Sequence, residues 1–269
     1  MFDNDAKVTQ RMAPLLQRVL IGDPHAANAR LLGELLRDIF NCQVWAAPST
    51  DKALKLAGSI EPDLIFLEMS AEALDGIAFT QRLRRGHLTC RKAPVIMMTG
   101  HATAAAILAA RDAGVHEFLR KPFTVKDLLR RLEAVTLRPR DWIEAVDYVG
   151  PDRRRFNSGE YSGPLKRSAD VFDTPDAERT AQALKILRSA LGAVRKDPVQ
   201  ALRAMQAQGT ELEEVGARLD DARLTAQAAA FNQYLGQVRG ALDPAELEQR
   251  AAPLLAYLPK SEASAARAA

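Results

Sequence analysis

The stretch 64-LIFLEMSAEALDG-76 decides how the first half of this chain is read. It opens as an apolar run, ends that run on one acid, Glu68, and turns into a loop closed by Asp75-Gly76. Such a run is apolar without alternation, as expected of a strand buried on both faces of a parallel sheet. Similar runs stand on either side: 18-RVLIG-22, 42-CQVWAA-47, 94-PVIMM-98 and 116-HEFL-119. Helical patterns lie between and after them, at roughly 25–39, 50–59, 76–86, 102–113 and 124–136. Pro48-Ser49-Thr50 opens the second of these, Gly114 closes the fourth and Pro122 follows the fifth strand. Five βα units in succession predict a doubly wound α/β domain over 18–136, with a five-stranded parallel sheet.

In an open α/β sheet, ligands bind beyond the carboxyl ends of the strands, where strand order reverses. The residues just past the apolar runs are therefore the candidates. They are Asp23 after the first, Glu68 after the third, Thr99 after the fourth and Lys121 after the fifth. Any one alone is readily a polar residue where a strand meets water. All four together place two carboxylates, a hydroxyl and an ammonium at one sheet edge.

With VLIGD, LIFLEM followed by Asp75-Gly76, VIMMTG and FLRKPF, the segment 18–136 resembles the receiver domain of two-component response regulators, the CheY-like fold with strand order 2-1-3-4-5. The resemblance implies a phosphoacceptor acid, a pair of acids for magnesium, a hydroxyl that binds the phosphoryl oxygens, an aromatic switch residue and a lysine. By position these are Glu68, Asp23 with Pro24, Thr99, Phe118 and Lys121.

Three positions, two of them among these, depart from the family pattern. Glu68 stands where the family has aspartate, and its extra methylene moves the carboxylate by about 1 Å or more, a shift that costs on the order of a hundredfold in rate. Pro24 stands at the second acid and has no side-chain oxygen, so magnesium binding is expected to be lost or weak. Glu72 replaces a proline. These changes predict a pseudo-receiver that kept the fold and lost the reaction. A working phosphorylation-controlled regulator is the alternative. Lys121 is expected to reach Glu68, and two readings of that pair stand side by side: a lock near an active-like conformation, or a structural ion pair. His25 is read as an exposed residue opening the first helix, or as a transition-metal ligand in place of the lost acid. His101 is read as exposed.

Beyond 136 the composition changes. The segment 137–173 holds Pro139, Gly150-Pro151, Gly159 and Gly163-Pro164, and repeats 148-YVGPDRRR-155 weakly as 161-YSGPLKR-167. It is read as a linker without a core. Arg153, Arg154, Arg155, Lys166 and Arg167 sit among Tyr148, Phe156 and Tyr161, a composition suited to anions and stacked bases. It faintly resembles flexible basic motifs that bind cyclic di-GMP. Cyclic di-GMP, nucleic acid and an acidic protein surface are the ligands it suggests. The alternative is a solvated linker with docked aromatics.

From 174 to 258 the pattern is helical. Thr174-Pro175, Asp197-Pro198, Thr210 with Glu213, and Asp243-Pro244 with Glu246 read as helix starts, and Gly209 as a break. Leu184, Leu187, Leu191 and Val194 form one apolar stripe; Leu224, Ala228, Phe231, Leu235, Val238 and Leu242 form another. These predict a small bundle of four or five helices. Residues 1–17 and 259–269 read as tails.

The 269 residues are 47% hydrophobic and 26% charged, with formal net charge +3, which gives no overall case for nucleic-acid or membrane binding. From Asp176 to Leu258 there are 11 acids and 10 bases, so DNA binding is not expected of the bundle. Cys42 and Cys90 have no metal-ligand spacing, and no signal-peptide pattern or bilayer-length apolar run is present, so a cytoplasmic setting is expected. No catalytic set or phosphate loop appears, and no enzyme is expected. The expected role is that of a protein–protein adaptor in a phosphorelay, with a histidine kinase or another regulator as partner. A homodimer through 102–136, whose helix reads TAAAILAARDAG, is a further expectation.

Overall fold

The computed structural model describes residues 2–153, 174–238 and 242–258. They form two compact units. One runs to Ile143 and resumes at Tyr148; the other takes Glu144–Asp147 with the helices from Pro175 onward. Among the described residues, no helix is long and apolar enough to cross a membrane.

The first unit is built on strands β1 (Arg18–Gly22), β2 (Gln43–Ala47), β3 (Leu64–Glu68), β4 (Val95–Thr99) and β5 (Glu117–Arg120). They are parallel and ordered β2-β1-β3-β4-β5. Because side chains alternate across a strand, each run supplies both faces. Val19, Ile21, Leu64, Phe66, Ile96, Met98 and Leu119 fill one core, under helices α2 (Ala26–Phe40) and α6 (Val125–Thr136). Leu20, Ile65, Leu67, Val95, Met97 and Phe118 fill the other, under α3 (Thr50–Ile60), α4 (Gly76–Arg85) and α5 (Ala104–Asp112). The helix starts are capped where the sequence offers Ser or Thr: Ser49 accepts from the Lys52 N–H, Thr103 from Ala106, and Thr124 forms a capping box with Asp127.

Residues 2–17, expected as part of an N-terminal tail, are not one. Phe2–Met12 form helix α1, and a short 3₁₀ turn spans Ala13–Leu15. Val8, Met12 and Leu16 recur at four-residue spacing, and Met12 and Leu16 are fully buried in the core beneath α2 and α6. That spacing was the signal, and it is short enough to pass for chance.

The expected coreless linker is also corrected in its first part. Trp142–Glu144 (β6) and Val149–Pro151 (β7) pair as a small sheet. Gly150 is there for proximity rather than flexibility: a Cβ on it would lie 2.7 Å from the Cα of Gly114 and from the Tyr148 hydroxyl. Gly114 has φ of +91°, and a Cβ there would lie 2.5 Å from the Val149 carbonyl. Buried Arg84 completes this corner. Its Nε donates to the Gly114 carbonyl (3.0 Å), Nη1 to the carbonyls of Arg91 (2.5 Å) and Ala93 (2.9 Å), and Nη2 to Nδ1 of His116 (3.3 Å). Its guanidinium lies 5.3 Å from the centre of the Trp142 ring. Burial pushes the Arg84 pKa down to about 9, against the opposing effect of Tyr148.

The second unit contains helices α7 (Pro175–Ala193), α8 (Pro198–Arg218), α9 (Ala222–Gln237) and α10 (Pro244–Leu255). Leu184, Leu187, Leu191, Val194, Leu224, Ala228, Phe231 and Leu235 are all in its core. Thr174, Asp197 and Asp243 cap their helices, each before a proline at N1. Thr210 does not start a helix: it lies inside α8 and its hydroxyl bonds back to the Gln206 carbonyl (3.1 Å). Asp221 caps α9 instead, accepting from the Leu224 N–H at 2.9 Å. Nor does Gly209 break α8. A Cβ at that position would lie 2.1 Å from Oδ1 of Asn232, so any side chain there would have to displace the Asn232 carboxamide. Residues 259–269 lie outside the described residues.

Candidate functional site

At the carboxyl edge of the sheet, each strand hands one polar residue to a common point. Asp23 follows β1, and its backbone N–H bonds the Ala47 carbonyl at the end of β2 (3.1 Å). Glu68 is the last residue of β3 and Thr99 the last of β4. Lys121 follows β5, where its N–H continues the ladder to the Thr99 carbonyl (2.8 Å). The parallel register therefore sets the backbone of all four before any side-chain contact is counted.

Lys121 is the centre of the arrangement. Its Nζ lies 2.6 Å from Oε2 of Glu68 and 3.0 Å from Oδ2 of Asp23. The other carboxylate oxygens also have donors. Oδ1 of Asp23 accepts from the His25 N–H (2.8 Å), with Nδ1 of the His25 ring at 3.4 Å, and Oε1 of Glu68 accepts from the Met69 N–H (3.2 Å). Each of the four carboxylate oxygens thus has a hydrogen-bonding or charged partner inside the domain. The set is substantially withdrawn from water, with side-chain exposures of 2% for Asp23, 13% for Glu68 and 25% for Lys121. Burial by itself would lower the Lys121 pKa; the hydrogen bonds and charges of Glu68 and Asp23 outweigh it and hold the ammonium above its ordinary value.

Thr99 is buried, and its Oγ1 accepts from the His101 N–H (3.1 Å), which turns the hydroxyl toward the loop after β4. Phe118 is buried in the core under α3, α4 and α5. Pro24 stands between Asp23 and the exposed His25, which is the N-cap of α2. Glu72 is exposed in the loop after β3. The side chains of Asp23, Glu68 and Lys121 are in contact, and Thr99 joins them through its carbonyl, which accepts the Lys121 N–H.

Of the basic residues beyond the sheet, Arg153 pairs with Asp112 (3.1 Å) and lies 4.3 Å from the Tyr148 ring centre. Arg154, Arg155, Lys166 and Arg167 lie outside the described residues. The cluster of buried Arg84 and His116 with half-buried Trp142 gave no clear signal in the sequence, because a single Arg in the last turn of a helix reads as an ordinary dipole partner.

Comparison with known proteins agrees with this geometry. The family model of the response regulator receiver domain matches residues 19–133. The chain is 30% identical over 133 residues to the transcriptional regulatory protein PdtaR of Mycobacterium tuberculosis, covering 49% of this chain and 63% of that protein. It is 32% identical over 123 residues to the DNA-binding dual master transcriptional regulator RpaA of Synechocystis, covering 46% of this chain and 50% of the relative. Among solved structures, a two-component response regulator from Clostridium difficile is 25% identical, covering 45% of this chain and 97% of that structure, with a TM-score of 0.41. The chain thus spans between half and two thirds of the length of these two curated relatives. The 2-1-3-4-5 sheet and the family match over its five βα units make residues 19–133 a response regulator receiver domain of two-component signalling.

Proposed function

We propose that this receiver domain works without being phosphorylated, and that the chain is an adaptor in a phosphorelay whose receiver is recognised by another signalling protein, a histidine kinase or a second regulator. The observation that carries this reading is the closure of Lys121 on both Glu68 and Asp23. A lysine needed for an incoming phosphoryl group is already engaged, and the charge of the two acids is partly offset from within.

The donor set also fits magnesium poorly. The ion demands near-octahedral oxygen coordination. Pro24 offers no side-chain oxygen, and the oxygens of Asp23 and Glu68 are occupied by N–H groups and an ammonium. Among the described residues, no group of three or more His, Cys, Asp or Glu side chains is placed to hold a metal. What this chain's residues do is hold the edge of the sheet in one charge arrangement, presented as a shape to a partner.

The test is to incubate the full chain with a small-molecule phosphodonor and magnesium and to weigh it intact. The expected result is an unchanged mass. A stable phosphoryl adduct mapped to Glu68 would overturn the proposal and leave a phosphorylation-controlled regulator.

A further inference from the structure

Within the helical unit, four residues come from far upstream. Glu144–Asp147 lie with the bundle rather than with their neighbours in sequence, and they meet α8 across sequence separations of 55 to 64 residues. Their recognition is polar and directed at the main chain. Nε2 of Gln200 donates to Oε1 of Glu144 (2.9 Å) and to the Ala145 carbonyl (3.0 Å). Nε2 of Gln208 donates to the Glu144 carbonyl (3.1 Å). Both glutamines are buried, at 3% and 6% exposure, and Glu144 and Ala145 are buried with them. Val146 packs against the bundle core.

Gln200, Ala204 and Gln208 are four residues apart and so share one face of α8. Two buried amides on a helix whose neighbouring positions are Ala201, Met205 and Leu212 are unusual for a bundle that needs only apolar contacts. Such amides are costly unless paired, and here they donate to two consecutive main-chain carbonyls and one carboxylate. Side-chain amides that read the backbone of a non-helical segment, with a pocket for one apolar side chain, make a peptide-binding surface.

We propose that the α8 face bearing Gln200, Ala204 and Gln208 is a peptide-binding site whose resident ligand is the chain's own segment Glu144–Asp147, held in cis as an exchangeable strap. The ligand class is a non-helical peptide with a glutamate followed by two small apolar residues. Few hydrogen bonds and one valine give such a peptide little affinity alone. The covalent connection supplies an effective concentration on the order of millimolar, which keeps the site filled in the intact chain. A partner segment of the same chemistry would compete for it.

The experiment uses the full chain and a fluorescein-labelled peptide of residues 141–150, read by anisotropy. In the Glu144→Lys, Val146→Asp variant the strap no longer fits, and the peptide is expected to bind roughly tenfold or more tightly than to the unmodified chain, whose site is occupied. Adding Gln200→Leu and Gln208→Leu is expected to abolish that binding. Equal binding to the strap variant and the unmodified chain overturns the proposal, as does binding that survives loss of both glutamines. Hydrogen exchange on the unmodified chain is the second measurement. A strap that exchanges independently shows amides 145–147 opening roughly tenfold or more faster than those in the centre of α8. Equal protection of the two, or loss of helical circular dichroism in the strap variant, makes the segment an integral part of the core and also overturns the proposal.

Discussion

Replacing Lys121 by methionine keeps an unbranched side chain of similar reach and removes the cation that Glu68 and Asp23 share. The side chains involved are 2% exposed for Asp23, 13% for Glu68 and 25% for Lys121. Breaking a buried ion pair from one side costs about 3–5 kcal/mol, because a charge is left without compensation. Two features place this case at the lower end. Lys121 is a quarter exposed, so solvent screens part of its interaction, and Asp23 keeps the His25 N–H. The expected loss is about 3 kcal/mol at pH 8, which at a urea slope of about 2 kcal/mol/M lowers the midpoint by about 1.5 M. The loss depends on pH in a definite direction. Burial lowers the Lys121 pKa, but Glu68 and Asp23 raise it above the ordinary value, so the stability the ammonium contributes is present at pH 8 and is lost only as pH rises through the raised pKa. Tryptophan fluorescence is the assay, since Trp45 and Trp142 are the two tryptophans of the chain and both lie in the receiver unit. A loss below about 1 kcal/mol refutes the argument that the pocket is held closed by this lysine.

Leu16→Ala is expected to cost about 2–5 kcal/mol in the same assay, because Leu16 is a fully buried core residue; a change under about 0.5 kcal/mol would return residues 1–17 to the status of a tail. Gly209→Ala in a helix interior ordinarily gains up to about 1 kcal/mol, but the 2.1 Å approach to Asn232 reverses the sign and predicts a net loss of about 1–2 kcal/mol by thermal circular dichroism. Adding Asn232→Ala is expected to recover part of it. His116 is buried, and burial together with Arg84 and Arg140 holds its pKa well below the usual value. The native state therefore binds fewer protons than the unfolded one near pH 6.5. Its contribution is present above that pH and is lost as pH falls, with a slope of at most about 1.4 kcal/mol per pH unit. His116→Asn, which offers an oxygen to the Val95 N–H and Arg84, is expected to flatten denaturation midpoints between pH 6.5 and 5.

The receiver half was legible because its signals are local and redundant. An apolar run without alternation, a helix start and a strand-end polar residue recur through 18–136, and each repetition restricts the others. The same logic brought Asp23, Glu68, Thr99 and Lys121 to one edge, since parallel strands deliver their carboxyl ends together. The sequence also shows by itself which atoms are missing there: a proline has no carboxylate in any conformation.

What the sequence could not decide was each matter that depends on a distant backbone. Gly209 and Gly150 carry the same local message as any breaker, yet a Cβ would meet the Asn232 side chain at the first and the Gly114 backbone at the second. Gly-Pro and basic residues made 137–173 read as solvated chain, whereas Trp142–Pro151 pairs as a hairpin on a buried arginine. Gln200 and Gln208 look like polar residues on a solvated helix face until Glu144 and Ala145 are seen against them. Periodicity records which side of an element avoids water. It does not record which backbone lies on that side, and only the tertiary structure decided that a glycine marks an approach, an arginine a staple and a glutamine a clamp.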